Sequence, residues 1–584
     1  MKSTFTLLSG LALANGAAVH QKSLPTVDLG YQVHRAISFD ASLSKNQRFP
    51  GVNKLTIMKK EHYKMYNFTN IPYAEPPLGP LRFTAPVPPK GRKSGIQNGS
   101  VGKVCPQANP GWLALGEMFT AAYGLNQLPF NVTQAKELLS QLPPPPEDDR
   151  ITEDCLVLDV LVPQQVFDKR SRIHKKGLKP TKGAPVLVWI YGGGYVIGDK
   201  SMLGTPSELM AATQSKGQDG AIWLAMNYRL GAFGFLSGPT LQQNGGTANA
   251  GLLDQRLALE WVQENIHVFG GDPDNVTIMG VSAGGGSVMH HITAWGGSKP
   301  APFRRAIPQS AGIVPVPGNR EQEQTFNDFL ALLNVSTLNE ARALPSSALM
   351  AANVKQVAAA PYGAFSYGPV VDGTFVPGMP SKLFLQGAFA KNIEVFSTYN
   401  SHEGIVFTDP SAFDNESLLR QQLGAIFTSF TSDDYQHVFE TLYPAKYDGS
   451  QPYTDALGRA QLIITEAALT CNQNSMIKAA QKQGIAAFAF QNSVWPAVHG
   501  GDQPYLFSNG PTPGVDARIA SIAKDAIAGF VNNGSPIKSP TGGILFPPYG
   551  QDDSILNFVV NATSAIRDPT SNERCDWWQK ALYY

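Results

Sequence analysis

Charge is scarce in this chain: charged residues make up 16% of its 584 residues, against about 25% in a typical soluble protein. Lys+Arg number 46 and Asp+Glu 45, a net charge of +1. No overall field therefore draws the chain to nucleic acid or to an anionic membrane. Beyond the N-terminal segment no apolar run approaches the ~20 residues that span a bilayer, so no integral membrane association is expected. Cysteine is also sparse. Cys105, Cys155, Cys471 and Cys575 are the four present, with no CxxC spacing, which suggests two disulfides rather than a metal site. Internal repeats and heptad runs are missing, and that sets aside solenoids and coiled coils. What is abundant is apolar surface. Hydrophobic residues make up 43%, with 30 Phe, 19 Tyr and 8 Trp, enough to bury a sizeable core and to exclude disorder. The 56 Gly and 44 Pro predict long ordered loops.

Residues 1–18 read as a secretory signal peptide: Lys2 precedes an apolar stretch from Phe5 to Ala18 that ends in small residues, with cleavage expected after Gly16 or Ala18. A membrane anchor would need a longer stretch. Eight Asn-x-Ser/Thr sequons, at Asn67, Asn98, Asn131, Asn275, Asn334, Asn415, Asn533 and Asn561, agree with an extracellular protein. Asn275 adjoins a strand and is expected to be hidden. The Pro143–Pro146 patch and the basic stretch from Lys169 to Lys182 are both expected to be surface loops.

Strand-like apolar runs occur at Leu156–Val162, Val186–Tyr191, Ala221–Asn227, Val276–Met279 and Val395–Thr398. Helical patterns lie between them. The clearest runs from Leu252 to His267, with Leu253, Leu257, Ala258, Trp261, Val262 and Ile266 at three- and four-residue steps. This alternation predicts an α/β protein with a large, mostly parallel central sheet flanked by helices. No linker interrupts it, so residues 19–584 are read as one large catalytic domain.

Gly280-Val281-Ser282-Ala283-Gly284 stands between the strand Val276–Met279 and a predicted helix, Gly285 to Ile292. G-x-S-x-G alone is weak, and its bland reading is a glycine-rich turn packing a helix on a strand. Its position between strand and helix makes it informative. A sharp turn there lifts the Ser282 hydroxyl out of the sheet, and the helix N-terminus offers free N–H groups where an oxyanion would form. Tyr191-Gly192-Gly193-Gly194-Tyr195 directly follows another buried strand. Its glycines let the backbone approach a substrate and aim successive N–H groups at it. No phosphate-loop pattern fits there.

With these motifs the chain resembles the type-B carboxylesterase/lipase family of α/β-hydrolases, which includes fungal lipases and the cholinesterases. Further stretches carry the resemblance: Ile71–Pro77 (IPYAEPP), Thr152–Leu156 (TEDCL), Asn227–Gly231 (NYRLG), Asp254–Val262 (DQRLALEWV) and Phe269–Pro273 (FGGDP). The resemblance implies an α/β-hydrolase fold and oxyanion-hole N–H groups from Gly193, Gly194 and Ala283. It also implies the disulfide pairs Cys105–Cys155 and Cys471–Cys575, and no metal or organic cofactor. The Cys105–Cys155 loop is rich in apolar residues, among them Trp112, Phe119, Tyr123, Leu125, Leu128 and Phe130. In lipases of this family that loop is a lid. The lid reading is carried forward here, with a fixed wall as its alternative.

In α/β-hydrolases the acid follows the serine and the histidine follows the acid. Only His402, His437 and His499 lie beyond position 400. His437 sits in a polar helix-like run and reads as a surface residue. His499 lies in a loop after an apolar strand-like run, where a catalytic base belongs, and in a His-Gly context similar to the family's. Glu403, in Ser401-His402-Glu403-Gly404, looks like the family's acidic motif; Asp372 is its rival. The expected triad is Ser282, Glu403 and His499. His402 departs from the family pattern, where an acidic residue often precedes the glutamate, and is read as tolerated variation. Ser310 resembles a buried family serine near the histidine, or is a core hydroxyl. Val281 stands where many relatives carry a glutamate that in cholinesterases faces a cationic substrate, so a choline ester is disfavoured.

The leading expectation is a secreted serine hydrolase cleaving small-molecule or lipid carboxylic esters through an acyl-enzyme. An interfacial lipase on long-chain acylglycerols or sterol esters is the alternative enzyme. A non-catalytic adhesion protein is the alternative from another class, and the intact triad and the lack of a membrane span speak against it.

Overall fold

Runs such as APVLVWI and IWLAM are apolar on both faces, and the sheet buries both faces of such strands. The computed structural model describes residues 24–39, 64–143, 148–175, 182–214, 218–313, 318–536 and 546–582. The signal peptide, most of the proline patch and part of the basic stretch lie outside them. Among the described residues eleven strands form one sheet: β1 (Ser38–Phe39), β2 (Met65–Pro72), β3 (Val157–Pro163), β4 (Ala184–Ile190), β5 (Ile222–Met226), β6 (Gly271–Val281), β7 (Arg305–Gln309), β8 (Glu394–Asn400), β9 (Ala487–Asn492), β10 (Ser554–Phe558) and β11 (Ser564–Arg567). Their spatial order is β11-β10-β9-β8-β7-β6-β4-β5-β3-β2-β1. Every neighbouring pair from β10 to β5 is parallel. The outer pairs are antiparallel. A second, three-stranded sheet joins Thr26–Asp28, Val33–Arg35 and Ile96–Gln97.

Helices flank the main sheet. Those used below are α1 (Leu113–Gly124), α2 (Val132–Ser140), α3 (Gln164–Lys175), α4 (Ala250–Asn265) and α5 (Ala283–Thr293). Each strand and helix expected from periodicity is present within a few residues. The basic stretch is a correction: up to Lys175 it continues α3 rather than forming a loop. Val166 and Phe167 in its first turn are buried in the core, and that anchorage carries the helix into the charged residues. No described helix is long and apolar enough to cross a membrane.

Several motif residues hold the frame. Arg229 sits after β5 with 2% of its side chain exposed and Asp254 on α4 with none. The Arg229 backbone N–H donates to Asp254 Oδ2 at 3.0 Å, and its guanidinium adds bonds of 2.8 and 2.7 Å. Burial pushes the Asp254 carboxyl up, and the Arg229 charge opposes that shift. Arg82 and Glu153 form a second buried pair at 2.6 Å, beside the disulfide Cys105–Cys155. The second disulfide joins Cys471 to Cys575, and no described cysteine is free. Both pairings are those the resemblance implies. Of the sequons, Asn98, Asn131, Asn334, Asn415, Asn533 and Asn561 are exposed. Asn67 and Asn275 are half-buried within β2 and β6, and Arg305 Nη1 donates to Asn275 Oδ1 at 2.5 Å.

The disulfides close loops with sequence separations of 50 and 104, and crosslinks of this kind contribute about 2–5 kcal/mol each. Reduction is therefore expected to lower the thermal unfolding midpoint. Non-reducing peptide mapping should recover Cys105 with Cys155 and Cys471 with Cys575; any cross-pairing between the two sets would contradict the structure.

Candidate active site

Five neighbouring strands deliver the sequence-predicted residues to one edge of the sheet. The Gly192–Gly194 loop follows β4, Ser282 follows β6, Ser310 follows β7, Glu403 lies just past β8, and His499 lies in the loop after β9. These are the carboxyl ends of parallel strands, where open α/β sheets bind ligands.

Ser282 is the residue between β6 and α5, at φ 58° and ψ −123°. A non-glycine residue is rarely found there, at a cost of about 1–3 kcal/mol, and its backbone bonds show what holds it. Its N–H donates to the Gln309 carbonyl, and its own carbonyl accepts from the N–H groups of Gly286 and Gly312, all at 2.9 Å. The neighbouring strand comes close: a Cβ on Gly192 would stand 2.9 Å from Ser282 Cβ, so only glycine allows this approach. Gly193 takes a positive φ of 106°, and its carbonyl turns back to accept from Val196 and Ile197 at 3.1 and 3.0 Å. The N–H groups of Gly193, Gly194 and Ala283 have no acceptor among the described residues. Ala283 is the first residue of α5, where the helix dipole adds partial positive charge.

His499 Nδ1 meets Glu403 Oε2 at 2.5 Å. An ionised carboxylate can only accept, so Nδ1 carries the proton of this bond and Nε2 is left as the acceptor. Glu403 is fully buried. Its other oxygen accepts from the Ser310 hydroxyl and the Asn400 backbone N–H, both at 2.6 Å, and from Asn400 Nδ2 at 3.2 Å. Ser310 is thus a donor to the acid rather than a core hydroxyl satisfied elsewhere. Among the described residues no hydrogen bond joins Ser282 Oγ to His499; their link runs through Gln309–Ser310, which binds both Ser282 and Glu403. Apo sites often leave such a contact long.

Asp372 lies elsewhere. Its carboxylate accepts from Asn249 Nδ2 and from the Thr374 N–H at 2.7 Å, and from the Val376 N–H at 3.0 Å, which orders a turn. His437 packs on Trp577 with the rings tilted by 36° and their centroids 5.4 Å apart. His402 turns out to have a structural partner: its Nδ1–H donates to the Pro496 carbonyl at 2.9 Å. That bond and the one from its N–H to the Ala497 carbonyl, also 2.9 Å, pin the histidine loop beside Glu403.

Residues that sequence reasoning missed complete the support. Asn400 also donates to Asp502 Oδ1 at 3.2 Å. Burial first, and then the Glu403 charge, push the Asp502 carboxyl up. Nothing local in the sequence marks either residue.

Ser282 opens onto a cleft with about 1000 Å³ of empty space, its open mouth included. Phe365, Phe407, Ile426, Ile464 and Leu469 form apolar walls; Tyr195, Ser237, His290, Gln322 and Thr325 add polar groups. The Phe407 ring meets the His499 imidazole edge to face at 5.1 Å. The disulfide loop packs beside this cleft. Trp112, Leu115 and Phe119 of that loop are buried, Phe119 with Ile405 and Leu457. Trp495 Nε1 donates to the Gly124 carbonyl at 2.9 Å. These contacts pack the loop against the body of the protein. Among the described residues no cluster of His, Cys, Asp or Glu is arranged to hold a metal ion.

A model of the carboxylesterase family matches residues 52–578. The chain is 40% identical over 584 residues to carboxylesterase patB of Aspergillus clavatus, covering 98% of this chain and 99% of that one. It is 31% identical over 451 residues to a secreted lipase of Arthroderma benhamiae, covering 74% and 83%. Among solved structures, Aspergillus niger EstA superimposes with a TM-score of 0.74 at 23% identity, covering 95% of this chain and 98% of that one. That likeness is one of fold, the α/β-hydrolase fold.

Proposed function

The chain belongs to the carboxylesterase family and is a carboxylic ester hydrolase, and on that premise we propose that it is a secreted enzyme using Ser282, His499 and Glu403 as a catalytic triad. The observation that carries this reading is the 2.5 Å bond between His499 Nδ1 and Glu403 Oε2. It leaves Nε2 as the base for a serine held at a strained turn.

In this reading Nε2 takes the Ser282 proton as Oγ attacks the ester carbonyl. The oxyanion that forms is met by the N–H groups of Gly193, Gly194 and Ala283, which need no reorganisation to receive it. His499 then hands its proton to the leaving alcohol, giving the acyl-enzyme, and the same steps with water release the acid. Glu403 orients the imidazole and stabilises its charged form. Secretion rests on two disulfides, six exposed sequons and the N-terminal apolar segment, and on a relative named as a secreted lipase.

A second reading, an interfacial lipase, has one observation in its favour. Leu125, Leu128, Leu138 and Leu142 of the disulfide loop are 43–67% exposed, an apolar rim suited to a lipid surface.

Ser282→Ala and His499→Ala are each expected to reduce kcat by on the order of 10⁶ while the protein stays folded by circular dichroism. Glu403→Gln should cost less, and Asp372→Asn should leave activity near wild type at equal stability. Turnover that survived in the serine or histidine variant would end the assignment. For substrate class, Val281 places no carboxylate beside the nucleophile, so kcat/KM for p-nitrophenyl butyrate should exceed that for butyrylthiocholine. Preference for the cationic ester would overturn this. A rise in activity at the onset of an oil–water emulsion would favour the lipase reading.

A further inference from the structure

The cleft is not uniformly apolar, and its polar end is built along the nucleophile's own helix. Gly286 and His290 on α5 follow Ser282, the residue that precedes the helix, at four-residue steps, about 12 Å along the axis in all. Gly286 leaves the middle of this row bare, and the Tyr195 hydroxyl lies over it: a Cβ on Gly286 would stand 2.8 Å from Tyr195 Oη. Tyr195 and His290 both line the cleft, with only 7% and 3% of their surface exposed. His290 Nδ1 is buried without a hydrogen-bond partner among the described residues, and Tyr195 Oη makes no hydrogen bond of good geometry, its nearest polar neighbour being the Ser287 hydroxyl. Buried polar atoms are ordinarily paired, so two such atoms without a well-formed partner, on residues that line one cleft, point to a ligand group that would complete them.

Their chemistry says what kind. Burial pushes the His290 imidazole down to about 3, so the ring is neutral, with one nitrogen a donor and the other an acceptor. Burial also pushes the Tyr195 phenol up, with the Ser287 hydroxyl opposing the shift, so it stays protonated. A neutral donor–acceptor pair suits a neutral oxygen, a ketone or hydroxyl, better than a charged group. Direction follows from the mechanism. The leaving alcohol must lie where His499 can protonate it, beside the Phe407 ring, which leaves the part of the cleft lined by Tyr195 and His290 for the acyl group in this reading.

We propose that Tyr195 and His290 form a specificity site for an oxygenated acyl group, a keto or hydroxy function several carbons from the scissile carbonyl. The assignment rests on the serine-esterase reading above. Substrates with plain alkyl chains would bury both side chains unpaired, and a site built to hydrogen-bond a substrate oxygen discriminates against analogues that lack it.

The test compares matched esters on the full-length protein: p-nitrophenyl 4-oxopentanoate against pentanoate, and 6-oxoheptanoate against heptanoate, after subtracting spontaneous hydrolysis. Wild type should prefer the oxo ester of at least one pair in kcat/KM. His290→Leu and Tyr195→Phe should each shrink that preference by about tenfold, the loss of one hydrogen bond. Tyr195→Phe removes only a hydroxyl and carries the test if His290→Leu does not fold. Equal rates on both members of both pairs, or a preference that persists in the variants, would overturn the proposal. A wild type that hydrolyses none of the four esters would instead overturn the serine-esterase reading.

Discussion

Glu403 is a carboxylate with no solvent exposure, and an anion in that position is tolerable only where donors replace its lost water. The donors come from three chain segments. Ser310 lies past β7, Asn400 ends β8 and His499 lies past β9. Because the carboxylate needs all of them, it fixes the distances between three strand ends, and the imidazole is aimed as a by-product of satisfying the charge. Asp502 forms an outer layer that acts through Asn400. The loop holding His499 has a second restraint, from His402 and from the bond that Trp495 donates to Gly124 at the end of α1. Hydrogen bonding to the carboxylate and backbone geometry therefore specify the same arrangement.

The nucleophile is positioned by other means. Its positive φ persists because the surrounding backbone leaves it no alternative. Gln309 receives its N–H, Gly286 and Gly312 cap its carbonyl, and Gly192 lets β4 close in on it. The triglycine loop and the serine are thus close neighbours, and the N–H groups of Gly193, Gly194 and Ala283 have no acceptor among the described residues.

How much of this could be read from the chain follows from how local each feature is. The strand–serine–helix turn and the triglycine loop are short and carry their own context, so they were legible. Buried parallel strands betrayed themselves as continuous apolar runs. Glu403 and His499 were accessible through chain order and family likeness. The partners Asn400 and Asp502 were not, because nothing about them is unusual until the sheet brings β7, β8 and the β9 loop together. His402 was read as tolerated variation, since its bond to Pro496 crosses to a segment distant in sequence. The helix over Lys169–Lys175 was missed because its charge masked the two anchoring apolar residues, Val166 and Phe167. Tyr195 and His290 were invisible for the same reason as Asn400: being left unpaired is a property of the folded neighbourhood.

The order in which the five strand ends occur along the chain has a consequence for biosynthesis. Ser282 is made near the midpoint, but His499 belongs to the last fifth of the sequence, and β9 must dock on β8 before its loop can reach Glu403. Domains generally fold as units. In the proposed triad, Ser282 therefore gains its base only after the segment carrying β9 and its loop has been made. On the proposed triad, the ability to cut esters is expected only once the segment through His499 has been made and docked.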